Sequence, residues 1–537
     1  MSIAEHGRHE SPVSDSVPLT SPTPSHPSSA QSRPRWRIAA CAATAVMVSA
    51  ARFVGLDDAP GEWYGDISTV YEYVVNLRNG TGPNGFYSLG TGVLYPQVIR
   101  PVLWALGDSY LSIKIAAALC SLIGLLVLFL FARRLVDEKF ALLVTSMAGL
   151  SSWWLVYSRL GDLQALTPTL SLGAIATAFV VVRRRGGVLW PMICGLLSGF
   201  GLYLYGTTVI LPVITGLVMV TAWRLGRITV RTVGVWAAAI VLASAPMLDD
   251  FIRYPEAFAH GHIGERMVTG WKFFPNLAQG IGRSLLAYVS EGDRVFRGNP
   301  MTQPHIDHLS LAFGVIGIVH WLHPQRRRRG IFLLGSFALL HVPALLASVD
   351  DLPSASRTVA AAPLAYLFVA SGVWWVGRLF RRLGDREAVV AMMSMVVCVG
   401  AFNIYVYVAS YLPGLPYRNV PIARSIADYA DTLPDEVTVH LVGTGWAPGF
   451  MPEIKSVVYA VKRPDNIIQD DQTKFDCSAL DTLRRPAVLI WTFDAPWPGI
   501  DLNACSAELT DVVTSHRDGV PVFRSALLVL KSSDPTR

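Results

Sequence analysis

About eleven apolar runs, each close to the length needed to cross a bilayer, leave this chain few folds to choose from. They fall near 37–54, 112–132, 140–157, 166–182, 188–205, 209–223, 232–246, 308–322, 331–347, 358–376 and 388–409. A helix needs roughly 17–25 apolar residues to span a bilayer, and inside lipid only helices or closed barrels satisfy every backbone group. Composition agrees: 16% of the 537 residues are charged and 52% are hydrophobic, against about 25% charged in globular domains. The expected fold is a polytopic α-helical membrane protein with about eleven transmembrane helices. The net charge of +6 does not point to nucleic acid, because the basic residues form short clusters between the runs.

Those clusters orient the chain. Alternate connections carry Arg133-Arg134 with Lys139, then Arg183-Arg184-Arg185, then Arg224, Arg227 and Arg231. Arg326 to Arg329 follow, and finally Arg378, Arg381, Arg382 and Arg386. Cytoplasmic loops are enriched in Lys and Arg, so this order predicts a cytoplasmic N-terminus in the plasma (inner) membrane. Residues 1–35 are Ser-, Pro- and His-rich, too polar to bury a core, and are expected to be a disordered cytoplasmic tail rather than a signal peptide. The transmembrane domain occupies 36–410, with long external loops at 55–111 and 248–307. Within the first loop, 66–78 and 93–106 read as amphipathic helices on the membrane surface, separated by the glycine-rich stretch 79–85. The second loop holds His260, His262, Glu265, Arg266, Asp293, Arg297, Asn299 and His305.

Residues 411–537 change character and are expected to form a small extracytoplasmic α/β domain. Segments 437–443, 456–461, 487–493 and 521–530 read as strands, and 420–433 as a helix. Cys477 and Cys505 lie there, and a disulfide or two free thiols are both compatible with the sequence.

Chemistry concentrates at the membrane edge, where ionisable residues are costly and mark functional sites. Asp66, in Glu62-Trp63-Tyr64-Gly65-Asp66, is a candidate general base toward an acceptor hydroxyl, or a metal holder. It is equally placed to cap the helix that follows. Ser158-Arg159-Leu160-Gly161-Asp162 pins a cation and a second acid in a short external turn, either as a mutual ion pair or as a phosphate clamp with an assisting carboxylate. Lys114 and Arg357 head two spans on the same side. Each alone fits a snorkelling anchor; with Arg159 they fit a phosphate held at the outer leaflet. No P-loop, dinucleotide fingerprint or zinc-spaced Cys/His cluster is present.

The order and sidedness of these motifs resemble the GT-C superfamily of integral-membrane glycosyltransferases, in the branch of protein O-mannosyltransferases and lipid A aminoarabinose transferases. The similarity rests on Trp63-Tyr64-Gly65-Asp66, Leu106-Gly107 through Lys114, Tyr157 through Asp162, Arg297-Gly298-Asn299-Pro300 with Ile306-Asp307, and Ser356-Arg357 before a span containing Pro363. Two departures stand out. Ile67 occupies the place of the glutamate that usually follows the first acid, and no lysine precedes the proline in Tyr95-Pro96-Gln97.

The resemblance implies an inverting transferase of hexosyl or pentosyl groups from a polyprenyl-phosphate donor to a hydroxyl on a protein, lipid or glycan acceptor at the external face, among membrane lipid. Asp66 would be the base, with Asp162 assisting, and Lys114, Arg159 and Arg357 would bind the donor phosphate. Trp63, Tyr64, Tyr95, Arg297 and Asn299 would contact substrate. A divalent cation such as Mg or Mn stays open. Rival readings are a transporter or flippase for lipid-linked glycans, and a membrane sensor using the C-terminal domain.

Overall fold

A computed structural model describes residues 35–62, 66–79, 93–184, 187–253, 270–300, 302–347, 350, 352–442, 454–469, 486–493 and 507–530. Each of the expected apolar runs is helical: α1 (Arg35–Phe53), α4 (Tyr110–Leu135), α5 (Glu138–Leu150), α6 (Ser152–Leu160), α7 (Thr167–Arg184), α8 (Leu189–Phe200), α9 (Leu211–Arg224) and α10 (Val230–Arg253) come first. The two surface helices are α2 (Asp66–Asn79) and α3 (Leu94–Leu106). After them come α11 (Phe273–Val289), α12 (His308–Leu322), α13 (Arg327–Leu339), α14 (Ala362–Leu379) and α15 (Asp385–Val406). Helix α11 lies in the second loop, where no helix was expected.

Among the described residues, six helical stretches are long and apolar enough to cross a membrane, and α5 with α6, bent by 62° at a break, makes a seventh. Three other apolar helices are shorter. At about 1.5 Å per residue they fall short of a hydrocarbon core of about 30 Å. The run expected at 331–347 is α13 followed by the short turn Val342–Leu345. The described residues thus hold fewer full-length spans than the eleven expected.

The stretch Ala355–Arg382 forms the centre of the bundle, with 89% of its apolar window buried, whereas Val230–Asp249 at 22% lies at the periphery. Helices α12 and α14 cross in near contact at two glycines. A Cβ on Gly317 would stand 1.9 Å from the Phe368 carbonyl oxygen, and one on Gly372 2.0 Å from that of Phe313. Small residues are what allow membrane helices to approach so closely.

The α5–α6 break frees backbone groups inside the bundle, and Asn403 of α15 satisfies them. Its Oδ1 accepts from the Ser152 backbone N–H (2.9 Å), the Ser152 hydroxyl (3.0 Å) and the Tyr366 hydroxyl (3.3 Å). Its Nδ2 donates to Asp307 Oδ2 (2.9 Å), and Asp307 itself caps α12 through the Ser310 N–H (2.8 Å). One amide thus joins four helices.

The basic connections share one end of the bundle. Arg183 donates to the Arg134 carbonyl (3.0 Å) and Arg329 to that of Leu135 (2.9 Å). At the opposite, loop-bearing end sits the C-terminal domain, with α16 (Ile422–Ala430), α17 (Ile454–Ala460) and a mixed sheet of order β2-β1-β3-β5-β4. Strand β1 (Thr438–Leu441) pairs in parallel with β2 (Ile467–Gln469) and β3 (Ala487–Thr492). Strand β5 (Val520–Leu530) runs antiparallel to β3 and to β4 (Ala507–Arg517).

One expectation fails here: 456–461 is mostly helix α17, not a strand. Val457 and Val461 are buried one turn apart, so burial at helical spacing against α16 overrides the β-branched pair's preference. Strand β4 was not expected, because its residues are largely polar. Its signal was Asp518-Gly519, both at positive φ, the two-residue turn of a hairpin. Cys477 and Cys505 lie outside the described residues.

Replacing Asn403 with Leu should lower the melting temperature of the detergent-solubilised protein sharply. Each buried group left without its partner costs about 1–3 kcal/mol. An unchanged melting curve would show that the break does not depend on this amide.

Candidate functional site

Helix α1 ends at Phe53, and its last carbonyls have no helical partners. Arg159 takes two of them, and two further buried cations, Lys114 and Arg52, bind carbonyls of the turn that follows, of α1 itself and of α5. Arg159, in the last turn of α6, donates from Nη1 to the carbonyls of Ala51 (2.9 Å) and Arg52 (3.1 Å), and from Nη2 to Gly55 (2.8 Å). Its Nε donates to the Ala59 carbonyl (3.1 Å) and to the Tyr407 hydroxyl (3.0 Å). Lys114 Nζ donates to the carbonyls of Leu56 (2.6 Å), Asp57 (3.1 Å) and Pro60. Arg52 reaches Ser121 Oγ (2.9 Å), the Val48 carbonyl (3.0 Å) and the Gly149 carbonyl (2.7 Å).

Lys114 and Arg159, expected to hold a phosphate, are in this arrangement committed to the backbone of 51–60. Arg159 turns to these carbonyls rather than to Asp162. Neither cation snorkels: Lys114 is 0% and Arg159 3% exposed.

Gly161, at φ 81°, ends α6 in the left-handed region and delivers Asp162 to the start of the next turn. Asp162 is buried. Its Oδ1 accepts from the Leu163 N–H (2.6 Å). The Gln164 carboxamide, with its nitrogen turned inward, donates to both carboxylate oxygens at 2.9 and 2.6 Å. Tyr95 of α3, fully buried, has its hydroxyl without a hydrogen-bond partner. Burial, with Cys120 and Asp162 beside it, pushes that phenol well above its usual range.

The loop 290–307 forms the facing wall. Asp293 Oδ1 accepts from the Val295 N–H (2.8 Å), and Oδ2 from the Ala355 N–H (2.7 Å) at the head of the central stretch. Burial raises the Asp293 pKa, opposed by those two N–H groups and then by Arg297 and Arg357. The Tyr157 hydroxyl is buried without a partner, with Asp293, Tyr205, Asp162 and Arg297 all within electrostatic reach. A Cβ on Gly298 would come within 2.4 Å of that hydroxyl, so the loop passes it only as glycine. Asn299 Nδ2 ties its own loop through the carbonyls of Pro300 (2.8 Å) and Gln303 (2.7 Å).

Asp162, Asp293 and Arg297 lie within electrostatic reach of Tyr157, with Tyr95 beside Asp162 and Arg357 beside Asp293, a cluster at one end of the bundle that we term the mouth; sequence reading named Asp293 and Tyr157 without a role. Their signal was local: Asp293 stands four residues before Arg297, and Tyr157 two before Arg159. Asp66 is the first residue of α2; its side chain lies outside what is described, as do Trp63 and Tyr64. His260 and His262 lie outside the described residues too. Among the described residues no three His, Cys, Asp or Glu side chains are grouped to hold a metal ion.

The family model described as dolichyl-phosphate-mannose-protein mannosyltransferase matches residues 93–248. The fold is similar to that of ArnT from Cupriavidus metallidurans bound to undecaprenyl phosphate, with TM-score 0.58 and 14% identity over 92% of this chain and 98% of that one. The apo state of the same protein gives TM-score 0.56 at 14% identity, with the same coverage. No curated protein matches by sequence. The family model covers less than half of the chain, and at 14% identity the likeness to ArnT is one of fold.

Arg159→Ala should reduce stability by about 2–4 kcal/mol, since hydrogen bonds to charged groups are worth about 1.5–3 kcal/mol each. Arg159→Lys should not restore it, because an ammonium lacks the planar fork. Equal melting temperatures for the three proteins would refute the clasp.

The raised pKa of Asp293 means the folded state holds that proton more tightly than the unfolded chain. Ionisation therefore costs stability as pH rises from the unfolded value, about 3.9, through the folded one. The melting-temperature difference between Asp293→Asn and wild type should shift in the variant's favour across that window and then level off. A lost acceptor adds only an offset that pH does not move.

Proposed function

We propose that the protein is a glycosyltransferase that moves a hexosyl or pentosyl group from a polyprenyl-phosphate donor to an acceptor hydroxyl, with inversion, at the outer face of the plasma membrane. The observation that carries this reading is the mouth itself. Two arginines, two buried carboxylates and two unpartnered tyrosine hydroxyls converge at the end of the bundle opposite the basic connections. Clustering of bases at the other end supports placing this mouth outside and the N-terminus inside. The likeness to ArnT, a protein bound to undecaprenyl phosphate, supports a lipid-linked phosphate as the donor.

Each residue then has a task. Asp66 removes the proton of the acceptor hydroxyl as that oxygen attacks the anomeric carbon. The bond to the phosphate oxygen breaks on the opposite side, and its electron pair leaves with the phosphate. Arg297 and Arg357 meet the charge that develops there; fixed charges need no reorganisation as the reaction proceeds. Asp162 balances the charge of the arginines. Tyr95 and Tyr157 are placed to donate to sugar or phosphate oxygens. Lys114 and Arg159 act on the donor indirectly, by holding the loop that leads to Asp66.

The test is transfer by purified protein from a panel of radiolabelled polyprenyl-phosphate sugars to protein, lipid and glycan acceptors. Asp66→Asn should lower kcat by about 10²–10⁴, the usual contribution of a general base, with donor affinity retained. Arg297→Ala and Arg357→Ala should instead weaken donor binding. Undiminished transfer by Asp66→Asn would remove the base, and movement of intact donor across vesicles without cleavage would favour a flippase.

A further inference from the structure

We propose that Glu62 is a positioning residue through which the C-terminal domain sets the location of Asp66; this rests on Asp66 being the base. Glu62 is 2% exposed. Its Oε2 accepts from the Ala423 backbone N–H at 2.6 Å, in the first turn of α16. That helix begins after Pro421 and has no side-chain cap of its own. Its N-terminal N–H groups carry partial positive charge, and a carboxylate from a segment some 360 residues earlier meets them.

The same short segment is gripped from both sides. Facing the bundle, the Glu62 carbonyl accepts from the Tyr110 hydroxyl (2.7 Å), and Lys114 and Arg159 hold 51–60. Facing the domain, the Gly61 N–H donates to Asn419 Oδ1 (2.7 Å) and Asn419 Nδ2 to the Asp58 carbonyl (2.8 Å). Arg424 forks onto both oxygens of Asp57 at 3.2 Å each. A Cβ on Gly61 would stand 2.7 Å from the Asn419 carbonyl oxygen, so the two backbones touch.

Beyond Asp66 the domain grips again. Tyr71 and Tyr459 pack edge to face at 4.8 Å, and Glu72 pairs with Lys455. Asp66 is thus bracketed in sequence by Glu62 and Tyr71, and both brackets end on the C-terminal domain. Ion pairs as exposed as Asp57–Arg424 and Glu72–Lys455 contribute little by themselves. The buried carboxylate of Glu62 is the anchor, and the pairs set its orientation.

The test uses the full-length protein. Glu62→Ala should lower kcat about 10- to 100-fold, the scale of a misplaced reacting group, with donor KM little changed. Glu62→Gln keeps an acceptor oxygen and should recover most of that rate. Asp57→Arg and Arg424→Asp should each reduce kcat, and their combination should recover it. Hydrogen exchange over 62–72 should quicken in Glu62→Ala while α4 and α14 exchange as before. Wild-type kcat and exchange in Glu62→Ala would overturn the proposal, as would exchange that quickens equally throughout the bundle. Full turnover by Asp66→Asn would instead defeat the assignment of the base and leave the exchange result to judge the coupling separately.

Discussion

Everything at the loop-bearing end depends on how the carbonyls of residues 48–60 are satisfied. A helix that stops near the membrane edge leaves several acceptors without donors, and lipid offers none. Arg52, Arg159 and Lys114 supply them from three different helices, and each is itself buried. Their charge is dispersed over peptide oxygens rather than matched by carboxylates. That choice keeps the clasp rigid and leaves the carboxylates of this face to other work.

The clasp also explains the division of labour among the cations. Among the basic side chains that approach this face, those deepest in the bundle hold backbone. Arg297 and Arg357, half-buried on the loop and at the head of the central stretch, face Asp293. Depth in the bundle separates the two groups. The same logic places Asn299 in the framework, its amide used up by its own loop.

Some of this was legible in the sequence. Apolar length located the helical runs of the bundle, because burial in lipid leaves a mark on each residue of a span. The surface helices α2 and α3 and the strands β3 and β5 were legible by the same periodicities. Helix α11 was not, since its flanking loop shows no clear boundary, and α17 was misread because a two-valine run looks the same in a strand and in a short helix pressed on a neighbour. At the mouth, Asp162 and Arg357 were proposed because charge at a membrane edge is conspicuous, and Tyr95 and Arg297 through the family resemblance. The tasks of Lys114 and Arg159 were not legible, because their acceptors are backbone carbonyls, which no residue type announces.

By itself the sequence determined the membrane class, the grouping of the basic connections and the segments from which the polar residues come, since these follow from composition along the chain. Only the tertiary structure decided which cations hold backbone, and which acid caps a helix some 360 residues away. Those outcomes depend on contacts between segments far apart in the chain. A hydrogen bond between such segments is set by packing geometry, and the identity of its partners leaves no periodic trace in the sequence.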